Sequence, residues 1–238
     1  MTRQVIVTLA AFAALAAAAG TAAASGVAFT LPTPSGRGRT LAAMEHAVTL
    51  VVTDDLRRSR LTVFFRLLLA VPHFIWLVLW GIAVWFAVII AWFAALFTKR
   101  VPDGLHGFLA GYVRYQVHVY AYVTLAANPY PPFDGSSEYP IDVRIAPPAE
   151  QGRLGVFFRA LLAIPALVIS GVMNYLVEIL VFFAWFVCLA LGRMPEGMRN
   201  LLAFTIRYHA QTQAYYSLVT PQYPSLNVGL EATPSISS

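Results

Sequence analysis

Charged residues are scarce in this chain, and that scarcity sets its class. Of 238 residues, 11% are charged and 59% are apolar, whereas a typical soluble domain has about 25% charged and roughly 45–50% apolar residues. Residues 67–98 carry no charged side chain, and residues 160–192 carry only Glu178. A run of about 18 apolar residues already suggests a membrane span. The composition excludes a compact soluble globule and predicts a multi-pass integral membrane protein.

Cysteine and lysine are almost absent. Cys188 is the single cysteine, which excludes an intramolecular disulfide and a cysteine-cluster metal site. Lys99 is the single lysine among 16 basic residues, and the net charge is +5. Because the basic residues flank the apolar runs, their position favours contact with anionic lipid headgroups and not with nucleic acid.

Motifs for enzymatic chemistry are also missing. The sequence has no nucleophile elbow, no phosphate-binding glycine loop and no zinc-protease helix. No second histidine stands at metal-ligand spacing from His73. The sequence therefore predicts a non-enzymatic protein with no catalytic residue, no metal and no cofactor.

The chain contains a tandem repeat. A shift of 93 positions (153 − 60) places Arg60 on Arg153, and the alignment continues without a gap until Pro131 meets Pro224. Of these 72 aligned positions (131 − 59), 28 are identical. The copies open with RLTVFFRLLLAVP and RLGVFFRALLAIP. Chance agreement between two apolar runs would not retain these polar and proline positions, so the pattern indicates a duplication.

Each apolar run can cross a membrane in two ways. As one straight helix, its roughly 32 residues would be about 48 Å long, too long for a hydrocarbon core of about 30 Å. One solution is a tilted span preceded by an interfacial helix; the other is a hairpin of two short spans. Single spans would invert the two copies although their flanking charges match, so the positive-inside rule favours hairpins. Gly81 and Asn174 are the predicted turns.

The predicted fold is an all-α integral membrane protein with two tandem transmembrane helical hairpins. Interfacial amphipathic helices and short β-strands at 48–53 and 139–145 complete the copies, and the two strands could pair. The predicted segments are an N-terminal anchor or signal peptide (1–26), a linker (27–46), a first repeat (47–133), a second repeat (134–226) and a tail (227–238). The N-terminal hydrophobic helix is either an uncleaved anchor or a signal peptide with a cleavage site at 22–24.

Three groups of side chains are candidate functional residues. Flanking arginines are candidate headgroup ligands or topology anchors: Arg60, Arg66, Arg100, Arg153, Arg159 and Arg193. Residues at helical spacing predict the interfacial helices: Arg114, Tyr115 and Tyr122 in the first copy, and Arg207, Tyr208 and Tyr215 in the second. His73 and Glu178 are polar groups inside predicted spans. Glu178 is either a proton or ion site or a residue at the outer turn in contact with water.

The repeat motifs resemble a known family. They are LAVPH at 69–73, AWF at 91–93, FTKR at 97–100, RYQ at 114–116, YPPF at 130–133 and YPIDV at 139–143. Together they are similar to domain of unknown function 4389, which occurs in uncharacterised membrane proteins common in actinobacteria. The resemblance implies a bacterial plasma-membrane protein with two copies of this domain, and it implies no activity. The second copy departs from the pattern at Ala166 and at Ser225-Leu226.

These observations lead to two hypotheses for function. The first is an accessory or scaffold subunit that contacts anionic lipids and either other membrane-protein subunits or further copies of itself. The alternative is a lipid or small-molecule carrier with a cavity between the two pseudo-symmetric hairpins, since parallel duplicated units also build transporters.

Overall fold

The computed structural model describes residues 46–135 and 139–226. The predicted N-terminal anchor or signal peptide, nearly all of the linker and the tail at 227–238 lie outside these residues. The elements are β1 (Val48–Val52), α1 (Arg60–Thr98), α2 (Asp103–Val123), β2 (Ile141–Ile145), α3 (Arg153–Phe157), α4 (Arg159–Leu191) and α5 (Glu196–Tyr216).

The two apolar runs form single long helices, α1 and α4. Each ends at a residue in the left-handed conformation, Lys99 and Gly192, whose backbone N–H donates to the carbonyl four residues earlier. Gly81 and Asn174, the predicted turns, lie inside these helices. The structure therefore has one helix per run where hairpins were predicted.

The physical reason lies in the weakness of the turn signal. One isolated glycine costs about 1 kcal/mol relative to alanine, which is too little to end a strongly apolar helix. Gly81 instead makes room for a neighbour, because a Cβ there would lie 3.2 Å from the Tyr112 hydroxyl. Asn174 donates from Nδ2 to Glu178 Oε1 at 2.8 Å, one turn further along the same helix. Both residues serve packing within a continuous helix.

The predicted strands are present and pair with each other. β1 and β2 are antiparallel, with Leu50 opposite Val143. These two residues occupy the same position in the repeat (143 − 50 = 93), so each strand pairs with its own equivalent. A local twofold axis therefore passes through the centre of the sheet.

The helix contacts obey the same axis. Trp92 Nε1 donates to the Val156 carbonyl at 3.0 Å, and its equivalent Trp185 Nε1 donates to the Val63 carbonyl at 3.2 Å. The start of α1 also meets the end of α4: Arg60 Nη2 donates to the Ala190 carbonyl at 2.9 Å. The end of α1 meets the start of α3 through the equivalent contact. The two copies are therefore related by a pseudo-twofold axis, and α1 runs antiparallel to α4.

The elements stack in three layers along this axis. Helices α1 and α4 pack on α2 and α5, which contact each other; α2 packs on β2 and α5 on β1. Within the described ranges, α1 and α4 contact neither strand. The two long helices thus form one outer layer, α2 and α5 form the middle layer, and the sheet forms the opposite outer layer.

Candidate functional site

The outer face of α1 and α4 is lined by large apolar side chains, with the exposed Glu178 as a charged residue on α4. Exposed large apolar side chains run from Leu61 to Phe97 on α1 and from Leu154 just before α4 to Leu191 at its end. The buried side chains of α1 form one stripe at helical spacing: Val63, Arg66, Ala70, His73, Val84, Ala87, Ala91 and Ala95. We call the exposed surface of these two helices the apolar face.

Both helices are long and apolar enough to cross a membrane. Only 17% of the most apolar stretch of each helix is buried within the protein. The core helix of a soluble protein would be mostly covered, so the apolar face needs another partner.

Arg66, one of the predicted headgroup ligands, is buried. Its side chain donates from Nη1 to the carbonyls of Tyr122 at 2.8 Å and Ala127 at 3.0 Å. Its guanidinium also lies 4.4 Å from the centre of the Tyr122 ring. The guanidinium therefore caps the carbonyl end of α2, where the helix dipole favours a positive charge.

Arg159 binds the carbonyl end of α5 in the second copy in the same way. It donates from Nη1 to the Thr220 carbonyl at 3.2 Å and from Nη2 to the side-chain oxygen of Gln151. Its guanidinium lies 4.3 Å from the centre of the Tyr215 ring. In this structure Arg66 and Arg159 donate their hydrogen bonds to backbone and side-chain groups of the protein. Binding of lipid headgroups therefore stays a prediction for the other four arginines.

Those four arginines are exposed and gather at the two ends of the long helices. Because α1 and α4 are antiparallel, Arg60 lies near Arg193, and Arg100 and Arg153 lie at the other end. Carboxylates accompany them: Arg100 Nη2 binds Asp103 Oδ1 at 2.8 Å, with both side chains in solvent. The exposed groups at the two ends are Arg57, Arg60, Arg193, Asp55 and Glu196 at one, and Lys99, Arg100, Arg153, Asp103 and Glu150 at the other. Three basic and two acidic groups are therefore exposed at each end, and the less exposed Arg199 also pairs with Glu196 at 3.7 Å.

The residues predicted to lie on the membrane surface form the middle layer instead. Tyr115, Tyr122 and Tyr208 are each at most 1% exposed. Burial raises the pKa of the Tyr115 hydroxyl well above its ordinary value. Arg114 is partly buried and reaches Asp142 Oδ1 on β2 at 3.2 Å. These helices bind the long helices to the sheet, and their aromatic bulk fills the core.

His73 lies in an aromatic cluster of the first copy. Its Nδ1 is 2.6 Å from the Tyr115 hydroxyl, and its ring stacks on Phe133 with 4.5 Å between the ring centres. Tyr130 covers another side at 4.4 Å. His73 is fully buried, so this geometry assigns it a packing role.

Glu178 belongs to a polar chain, a series of hydrogen-bonded and stacked side chains that joins the two copies. Asn174 accepts a hydrogen bond from the Tyr120 hydroxyl at 2.9 Å. Tyr120 stacks on His209, whose Nδ1 is 2.9 Å from Ser170 Oγ. Burial, reinforced by the charge of Glu178, raises the pKa of Tyr120 to about 12. The chain joins α4 to both helices of the middle layer, which sequence spacing alone could not reveal.

No group of three or more histidine, cysteine, aspartate or glutamate side chains within residues 46–135 and 139–226 is placed to hold a metal ion.

The described geometry has two equivalent copies, and the comparison with known families finds the same division. Residues 60–134 and 153–226 each match the Domain of unknown function (DUF4389). The chain belongs to the DUF4389 family. No curated protein and no solved structure matches it.

Just ahead of the two DUF4389 matches, the repeats differ at a further buried position, which the sequence did not single out. Arg58 donates from Nε to the Leu125 carbonyl at 2.9 Å and forms a buried ion pair of 2.6 Å with Asp54. Its equivalent Gln151 (151 − 58 = 93) donates from Nε2 to the Leu218 carbonyl at 2.8 Å. The signal available in the sequence was a polar residue at the same place just ahead of each apolar run.

Proposed function

We propose that this protein is a non-enzymatic membrane protein, an accessory or scaffold subunit that rests its apolar face in lipid. The observation that carries the proposal is the exposure of large apolar side chains from one end of α1 and α4 to the other. Monomeric soluble proteins rarely expose an apolar patch beyond a few hundred Å². The middle layer and the sheet lie on the other side of α1 and α4.

The arginines at the helix ends support contact with anionic lipid. Arg60, Arg100, Arg153 and Arg193 are exposed at the margins of the apolar face. A basic residue near an anionic membrane surface contributes about 1 kcal/mol of attraction. The exposed side chains of α2, α5 and the sheet are then available for contact with other subunits or with another copy of the chain.

Flotation of the expressed protein on a density gradient tests the proposal. We expect the protein to float with the membrane fraction and to stay there after an alkaline carbonate wash. The paired substitution Leu68→Asp and Leu161→Asp, which places a charge at equivalent exposed positions of the apolar face, should reduce membrane recovery. Thr53→Asp, on an exposed residue beside the sheet, is the matched control and should float like the parent. Recovery of the parent protein in the soluble fraction would overturn the proposal.

Co-purification in mild detergent, followed by mass spectrometry, tests the scaffold role itself. Stoichiometric protein partners would support a subunit of a larger assembly. A stoichiometric lipid or metabolite without protein partners would instead favour a carrier.

The polar chain around Glu178 is the observation that favours the carrier as a second candidate. A carboxylate on a helix of the apolar face is a functional candidate by default. Glu178→Gln keeps an acceptor for Asn174 and removes the charge. A carrier that uses this carboxylate loses its transport or proton-linked phenotype in this variant, whereas the scaffold proposal predicts no change.

A further inference from the structure

We infer that α1 and α4 lie in the plane of a single leaflet and do not cross the bilayer, with the pseudo-twofold axis along the membrane normal. This inference rests on the proposed contact of the apolar face with lipid and specifies the geometry of that contact. Both copies then face the membrane from the same side, and all four ends of the long helices remain on that side.

The first support comes from the symmetry. A twofold axis that relates two antiparallel helices lying side by side is perpendicular to the plane that contains them. The axis that passes midway between Leu50 and Val143 therefore leaves the molecule through the layer of α1 and α4. The apolar sides of both helices consequently point in one direction, away from α2, α5 and the sheet. Lipid on that side alone covers them.

The second support is length. Helix α1 has 39 residues and is therefore about 58 Å long, nearly twice the hydrocarbon thickness of about 30 Å. A spanning orientation that kept the charge-free residues 67–98, about 48 Å of helix, within the hydrocarbon would need a tilt of about 51°, beyond the usual range of 0–40°. For a helix that lies in the plane of the membrane, the bilayer thickness sets no limit on its length.

The third support is what a spanning orientation would do to the other layers. Helices α2 and α5 pack along the long helices and would be carried into the hydrocarbon with them. The sheet would follow, with Asp142, the exposed Arg144 and the outer edge of each strand, which no further strand covers among the described residues. Lipid-exposed sheet edges do not occur in the hydrocarbon region because their backbone groups stay unsatisfied.

The fourth support comes from the middle of each long helix. Trp85, near the middle of α1, is 60% exposed, and its equivalent on α4 is the exposed Glu178. Tryptophan is enriched at the membrane–water interface, and a charged group at the bilayer centre is costly. An in-plane helix keeps its middle at the same depth as its ends, so Trp85 lies at the interface and Glu178 reaches water.

The fifth support is the distribution of basic residues. Three exposed basic side chains lie at each end of the helix pair: Arg57, Arg60 and Arg193 at one, and Lys99, Arg100 and Arg153 at the other. The positive-inside rule keeps lysine and arginine on the cytoplasmic side and gives little weight to acidic residues. A spanning pair would place half of these charges on the far side. The in-plane arrangement places all of them on one side.

Cysteine labelling in sealed vesicles tests the inference. The background is Cys188→Ala, which introduces the residue found at the equivalent position, Ala95. Single cysteines replace Ser59, Arg100, Gly152 and Arg193, exposed residues at the four helix ends. A fifth cysteine replaces Tyr175 in the middle of α4, where the side chain is 69% exposed. Inside-out and right-side-out vesicles are treated with a membrane-impermeant maleimide, and Lys99→Cys and Arg153→Cys replace any variant that does not accumulate.

The in-plane arrangement predicts that all four end positions are labelled from the same side. Labelling of positions 59 and 193 from one side and of 100 and 152 from the other would overturn it in favour of spanning helices. Labelling of position 175 from the side opposite the ends would overturn it in favour of hairpins. Loss of the protein from the vesicles, or its recovery as a soluble dimer with the apolar faces covered, would instead contradict the proposed contact of the apolar face with lipid. The two failures are thus distinguishable.

Discussion

The two copies of the repeat solve one structural problem with different chemistry. In each copy, backbone carbonyls just after the middle-layer helix must be satisfied inside the protein. The first copy uses Arg58, whose charge is balanced by Asp54, with side-chain exposures of 0% and 1%. The second copy uses the neutral amide of Gln151, which also accepts from Arg159. What the repeat requires is therefore a donor at this position, and the buried ion pair belongs to the first copy alone among the described residues.

The largest expected effect comes from removing these donors one copy at a time. Arg58→Ala leaves the Asp54 carboxylate buried without its partner, which costs about 3–5 kcal/mol. Gln151→Ala removes a donor to the Leu218 carbonyl and an acceptor for Arg159. Arg159 keeps its bond to the Thr220 carbonyl and its contact with the Tyr215 ring, so we expect a cost of about 1–3 kcal/mol. Thermal unfolding in mild detergent, followed by far-ultraviolet circular dichroism, should therefore show the larger loss for the first copy.

A double variant serves as the control for this comparison. Arg58→Gln with Asp54→Asn gives the first copy the neutral chemistry of the second. We expect it to recover most of the stability lost in Arg58→Ala. Equal losses in Arg58→Ala and Gln151→Ala would contradict the distinction between the copies.

A smaller effect is expected at the matched tyrosines of the middle layer. Tyr115→Phe removes the hydroxyl that lies 2.6 Å from the buried His73 Nδ1, and an orphaned buried polar group costs about 1–3 kcal/mol. Tyr208→Phe orphans no imidazole, because Ala166 occupies the position of His73. The unfolding midpoint should therefore fall further for Tyr115→Phe. The reverse order would show that the aromatic cluster does not depend on this hydrogen bond.

The smallest effect concerns pH. Burial lowers the pKa of His209 below its ordinary value of 6.5, so the unfolded chain binds a proton more readily than the folded chain. The contribution of neutral His209 to the free energy of unfolding is therefore fully present above pH 6.5 and is lost as the pH falls below that value. His209→Gln, which introduces the residue of the equivalent position Gln116, should flatten this decline in unfolding measured between neutral and mildly acidic pH. An unchanged decline would place its origin in another group.

Much of the architecture follows from the sequence because a duplication leaves a direct record. The offset of 93 between Arg60 and Arg153 predicts two copies, and the family match to residues 60–134 and 153–226 confirms them. The alternation in residues 141–145 predicts a strand, and the pairing of β1 with β2 confirms it. These features depend on local pattern.

The continuity of the long helices and the location of the arginines depend on tertiary contacts. The hairpin prediction treated Gly81 as a turn, whereas the structure uses its missing Cβ to admit the Tyr112 hydroxyl. Arg66 resembles an interfacial anchor in sequence because it precedes an apolar run. Its true partners are carbonyls 56 and 61 residues further along the chain, and no spacing rule identifies them. The exposed Arg60 has the same sequence context and the opposite environment.

The depth of the two long helices in the bilayer tests the central claim most directly. Spin labels at Leu68, Ile82 and Phe93 of α1, and at the equivalent Leu161, Tyr175 and Phe186 of α4, occupy exposed positions of the apolar face. Relaxation by oxygen and by a water-soluble nickel complex reports the depth of each label in reconstituted vesicles. The in-plane arrangement predicts one uniform shallow depth at all six positions, with equivalent positions in the two copies matching. A profile that is shallow at the outer positions and deepest at positions 82 and 175 would contradict it and show that the helices cross the bilayer.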